Sequence, residues 1–165
     1  MADHRTLVLM RHGKSSYPEG IRDHERPLAE RGLREARIGG EWIRENVPPV
    51  DAVLCSTSRR TVETLASTGI EAPAGFEKSI YGGSPADVIA AARTTSDHVK
   101  TLLIVGHEPG IPWTALDLAS NENSEAAQRI RDKFPTSAIA VLSVPVPWTD
   151  LDDSVATLLE FHVPR

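Results

Sequence analysis

Thr6 to Gly13 reads TLVLMRHG, a short apolar run that stops at Arg11, His12 and Gly13. A run of this length, β-branched in part and closed by a turn, predicts a buried β-strand whose C-terminal end carries an arginine and a histidine. The pattern recurs twice. Ala52–Ser56 (AVLCS) leads into Arg59 and Arg60, and Thr101–Gly106 (TLLIVG) leads into His107.

Helical spacing fills the intervals. Leu33, Ala36, Gly40, Ile43 and Val47 lie one turn apart until Pro48-Pro49 ends the pattern. Arg60 to Ser67 predicts a helix with Val62 and Leu65 turned inward. Pro85 to Ala92 predicts another, with Ser84 as N-cap and Pro85 at the first helical position. Further helices are expected over Trp113 to Ala119 and Ser124 to Phe134, and Ala138 to Val144 and Ala156 to Phe161 close the sheet. Strands alternating with helices predict an α/β fold on a mainly parallel sheet.

Composition narrows the function classes. The 165 residues, 40% hydrophobic and 25% charged, fit one domain over 1–165 with a real core; area scaling gives roughly 8,000 Å² exposed after folding. A formal net charge of −5 argues against a nucleic-acid binder. The apolar stretch before Arg11 is too short for a secretory or membrane-spanning segment, so a cytoplasmic location is expected. The one cysteine, Cys55, sits in an apolar run and is expected to be a buried hydrophobe; a cysteine-based zinc site is excluded. Trp42, Trp113 and Trp148 are expected to be buried, and His4, His98 and His162 to lie at the surface, with His24 nearer the first strand's loop.

Ligands of open α/β sheets bind beyond the carboxyl ends of the strands. If the three strands are parallel neighbours, Arg11, His12, Arg60 and His107 converge there. Two guanidiniums and two imidazoles make a receptor for a phosphoryl dianion, because arginine matches its oxygens in pairs and stays charged. An imidazole tied at one nitrogen can attack phosphorus through the other, while the remaining cations neutralise the equatorial oxygens. A P-loop is excluded, since Gly13-Lys14-Ser15 would need a glycine where Val8 stands.

Taken together, TLVLMRHGKS, CSTSRRTVETL and LLIVGHEPG resemble the three ordered signature segments of the histidine phosphatase superfamily, with Ser56, Arg60 and Thr64 at the spacing of the second. RPLAERG at Arg26 to Gly32, YGGSP at Tyr81 to Pro85 and KFPTSAIAVL are similar to phosphohistidine phosphatases of the SixA type. The resemblance implies a three-layer α/β/α sandwich around a mostly parallel sheet with one antiparallel strand. It also implies His12 as the phosphorylated nucleophile, Arg11, Arg60 and His107 as the phosphate pocket, and no metal or other cofactor.

One departure bears on the substrate. Larger members of the superfamily, the mutases, carry a glutamate acid in a Glu-Arg-His-Tyr-Gly-like segment; aligning its Tyr-Gly with Tyr81-Gly82 puts Lys78 at the acid position, with Glu77 one position away. Glu108, Glu77 and Asp23 are the candidate proton donors. A site without a dedicated acid suits an imidazole leaving group better than an alkoxide. The expected partner is therefore a phosphohistidine-bearing protein. A small phosphorylated metabolite, or phosphate binding without turnover, are the alternatives.

Overall fold

A computed structural model describes residues 4–165. The strands are β1 (Arg5–Arg11), β2 (Ala52–Ser56), β3 (Ala74–Glu77), β4 (Thr101–Gly106), β5 (Ile139–Val144) and β6 (Thr157–His162). The helices are α1 (Glu30–Asn46), α2 (Arg59–Thr68), α3 (Pro85–Arg93), α4 (Gly110–Leu118) and α5 (Glu125–Asp132). The strands form one sheet in the order β3-β2-β4-β1-β5-β6. Pairings are parallel from β3 to β1, while β5 is antiparallel to both β1 and β6, so a single strand runs against the rest.

Alternation along the central strands divides the core between the two faces of the sheet. Leu7, Leu9, Leu102 and Ile104 face α3, α4 and α5. Val8, Met10, Leu103 and Val105 face α1 and, at its edge, α2. All eight side chains are fully buried, each contributing about 1.5–3 kcal/mol of transfer free energy. The sandwich is thus three layers, and its exposed surface of 7956 Å² matches the value expected for its mass. No helix among the described residues is long and apolar enough to cross a membrane.

Several expectations need correcting. Strand β3 is not foreseen in the sequence, because it carries no apolar run; it is a four-residue edge strand with Phe76 exposed. On α2 the buried stripe is Arg60, Thr61, Thr64 and Thr68, and Val62 points to solvent, because this helix packs on α1 and on the loop after β1. Leu33 is likewise exposed, while Gly32, Ala36 and Gly40 take the inner face of α1. Of the tryptophans, Trp148 is fully buried and donates from Nε1 to the Val99 carbonyl at 2.8 Å, but Trp113 is 53% exposed. Trp42 is half-buried and stacks on His162 with ring centroids 4.6 Å apart. Cys55 is buried among apolar neighbours, which pushes its thiol up to about 12.

Candidate active site

Register brings the strand ends together. Arg11 pairs with Gly106 across β1 and β4, so the residues that follow, His12 and His107, emerge side by side with ring centroids 5.3 Å apart. Cys55 pairs with Val105, which sets Ser56 at the next position, where its Oγ lies 2.7 Å from Nε2 of His107. Helix α2 starts two residues beyond Thr57 and delivers Arg60 from its first turn. The four residues expected from the sequence, Arg11, His12, Arg60 and His107, therefore line one cleft of about 310 Å³. Asp23, Tyr81, Gly82 and Glu108 complete its rim.

His12 is held by its own backbone turn. Nδ1 lies 2.7 Å from the Gly13 carbonyl, the geometry of an N–H donor, which leaves Nε2 as the lone-pair nitrogen. The turn is pinned in turn: Gly13 N–H donates to Thr64 Oγ1 at 2.9 Å, and that hydroxyl donates to the Arg60 carbonyl at 2.7 Å. The His12 backbone is fixed from both sides, donating to Gly106 O and accepting from Ser137 N–H, each at 3.0 Å. Burial, reinforced by His107 and the two arginines, pushes the His12 imidazole down to about 3. Burial and then Arg60 push His107 down to about 4. Both rings are neutral at pH 7.

Each arginine is aimed by oxygens. Arg11 donates from Nη1 to the Phe134 carbonyl and to Glu108 Oε2, both at 2.9 Å, and its buried Nε has no partner among the described residues. Arg60 donates from Nη1 to the Asp23 carbonyl at 2.7 Å and from Nη2 to Asp23 Oδ2 at 3.1 Å. Asp23 also accepts from Tyr81 O–H at 2.7 Å and from Arg26 Nη1 at 2.7 Å. The Tyr81 hydrogen bond, with those from Arg60 and Arg26, holds the Asp23 carboxyl well below the usual carboxylate range, so it stays ionised.

The three candidate proton donors separate in space. Asp23 and Glu108 stand at the rim with side chains 54% and 46% exposed, whereas Glu77, at the end of β3, and the exposed Lys78 lie outside the cleft. His24 approaches the rim, its ring edge-on to Tyr81 at 4.7 Å. Tyr81 is the site residue that the sequence does not mark as a participant, since there the Tyr-Gly pair serves only to align the segment. Among the described residues no cluster of histidine, cysteine, aspartate or glutamate has the grouping to hold a metal ion.

Residues 7–78 match the family model of the histidine phosphatase superfamily, branch 1. The chain is 54% identical over 158 residues to the uncharacterised protein Rv1276c of Mycobacterium tuberculosis, covering 94% of this chain and all of that one. It is 25% identical to phosphohistidine phosphatase SixA of Escherichia coli over 84% of each chain. A solved structure from Nakamurella multipartitia, provisionally assigned as a SixA phosphohistidine phosphatase, superposes with a TM-score of 0.90 at 37% identity, over 98% of this chain and 96% of that one.

Proposed function

The chain belongs to the histidine phosphatase superfamily, and on that premise we propose that it is a metal-independent phosphatase that forms a phosphohistidine intermediate on His12 and takes phosphohistidine on a partner protein as substrate. The observation that carries this reading is the neutral His12 ring, locked through Nδ1 to Gly13 O between two guanidiniums.

In the first step the Nε2 lone pair forms a bond to phosphorus as the bond to the leaving group breaks. Arg11 and Arg60 neutralise the equatorial oxygens, which is the main electrostatic demand of the reaction; one such donor is commonly worth 10²–10³ in rate. His107, held neutral by burial first and then by Arg60, stands beside His12, where a ring N–H hydrogen-bonds a phosphate oxygen without giving up its proton. Water then attacks the phosphorylated His12, the N–P pair returns to Nε2, and dihydrogen phosphate leaves. Two guanidiniums supply the positive charge, and no divalent cation is invoked.

Two features favour phosphohistidine over a sugar phosphate. Asp23 is ionised and bonded to three side-chain donors, and Glu77 lies away from the cleft, so neither is suited to protonate an alkoxide. The cleft also opens between exposed rim residues, room for an imidazole presented on a protein surface. The similarity to the Escherichia coli and Nakamurella proteins supports the same substrate class.

The test is phosphate release from a protein phosphorylated on histidine, in EDTA, for the wild type and for His12→Ala. Release by the wild type alone is expected. An active His12→Ala variant overturns the mechanism, and release confined to small phosphoesters overturns the substrate.

A further inference from the structure

The cleft carries little net charge. The guanidiniums of Arg11 and Arg60, with Arg26 behind Asp23, face the carboxylates of Asp23 and Glu108, which leaves about one positive charge beside two neutral imidazoles. A phosphomonoester dianion entering this balance adds two negative charges, whereas a phosphoimidazole protonated on its second ring nitrogen adds only one. The rim therefore disfavours the first relative to the second.

The two rim carboxylates are not equivalent. Asp23 already accepts from Arg26, Arg60 and Tyr81. Glu108 is fixed through Oε2 to Arg11 at 2.9 Å, and its Oε1 accepts no hydrogen bond among the described residues. It is thus a carboxylate held by a cleft arginine, with its other oxygen free at the exposed rim.

Resting on the phosphohistidine reading above, we infer that Glu108 is a specificity-determining residue whose free oxygen accepts a hydrogen bond from the non-phosphorylated N–H of the substrate imidazole, favouring the form that departs as neutral imidazole. The balance of atoms explains why this matters. If that nitrogen carries a proton, the P–N pair returns to a ring that is already N–H on its other side, and no proton moves during transfer. If it does not, the same step expels imidazolate, a far poorer leaving group. Transfer then runs between two imidazoles of like protonation, His12 held at Nδ1 by Gly13 O and the substrate held by Glu108.

The charged surroundings of Glu108 are mixed. Arg11, Arg60, Asp23 and the two site histidines, with Tyr81, face it across the cleft. Arg131, Asp132 and Lys133, at the end of α5 and just beyond, face it across the adjoining groove.

The experiment compares the wild type with Glu108→Gln, which keeps an oxygen for Arg11, on phosphoimidazole and on 4-nitrophenyl phosphate from pH 5 to 9. With phosphoimidazole, the alkaline limb of kcat should move down by roughly one pH unit in the variant, giving about a tenfold loss at pH 8 that narrows toward pH 5, where the ring is protonated without help. With 4-nitrophenyl phosphate, kcat/KM should rise, because an anion has left the mouth. An unmoved limb, or equal losses on both substrates, overturns the role of Glu108. Wild-type turnover of the aryl phosphate with none of phosphoimidazole overturns the phosphohistidine reading itself.

Discussion

Thr64 lies outside the cleft lining yet sets its geometry. Fully buried on α2, it accepts from the Gly13 N–H and donates to the Arg60 carbonyl, so one hydroxyl ties the turn that holds His12 to the helix that carries Arg60. Thr64→Val keeps the volume and leaves the Gly13 N–H buried without an acceptor. The expected loss is about 1–3 kcal/mol of stability, read from denaturant midpoints, with a larger fall in kcat than in phosphate affinity. Thr64→Ser should recover most of both. Neither partner of this bond is legible from spacing: Ser56, Arg60 and Thr64 mark the segment, but only the fold shows that the threonine answers Gly13. Tyr81 escapes for a related reason, and the sequence offers Asp23 only as a candidate proton donor, not as the carboxylate that aims Arg60. They meet across 58 residues of sequence, one in and one just after a three-residue 3-10 turn, where no periodicity points one at the other.

Helices α1 and α2 cross where Gly40 meets Thr68. A Cβ at position 40 would run into the Thr68 backbone, whose carbonyl also accepts from Arg44 Nη1 at 2.6 Å, so the obstacle cannot swing aside as a side chain would. Gly40→Ala is therefore expected to cost about 1–3 kcal/mol despite alanine's better helix propensity, seen as a lower melting temperature. At the far edge of the sheet, β6 is covered by polar side chains rather than by another strand. Asn121 pairs with both the N–H and the carbonyl of Leu158 at 2.9 Å, and Arg129 donates to the Phe161 carbonyl at 3.1 Å. These contacts blunt the row of free backbone groups that an edge strand otherwise presents. The central strands were legible because an apolar run ending in a turn has few other solutions. β3 was not, since an exposed four-residue edge gains little from apolar side chains, and α2 misled because its inner face is polar.

For the whole molecule, the neutral buried histidines couple folding to pH. His12 and His107 titrate at about 3 and about 4 in the fold but near 6.5 when exposed, so the unfolded chain binds more protons in between. Their contribution to stability is complete above pH 6.5 and is lost as pH falls toward those folded values. The slope should approach about 1.4 kcal/mol per pH unit for each ring. Denaturant midpoints should hold from pH 7.5 to about 6.5 and then fall steadily toward about pH 5.5, above the carboxylate range, and His107→Asn should flatten that slope. A stability independent of pH over that interval would mean that the two rings are not neutral in the fold.

The architecture followed from the order of three strand ends, and the convergence of Arg11, His12, Arg60 and His107 followed from their being parallel neighbours in register. The central claim is that His12 carries the phosphoryl group. It is tested by quenching wild-type enzyme with excess phosphohistidine substrate in alkali, where phosphohistidine survives, and weighing and mapping the intact protein by mass spectrometry. One phosphoryl group on His12, absent from His12→Ala, is the predicted result. Turnover with the phosphoryl group on another residue, or with His12 never labelled on the turnover timescale, would contradict it.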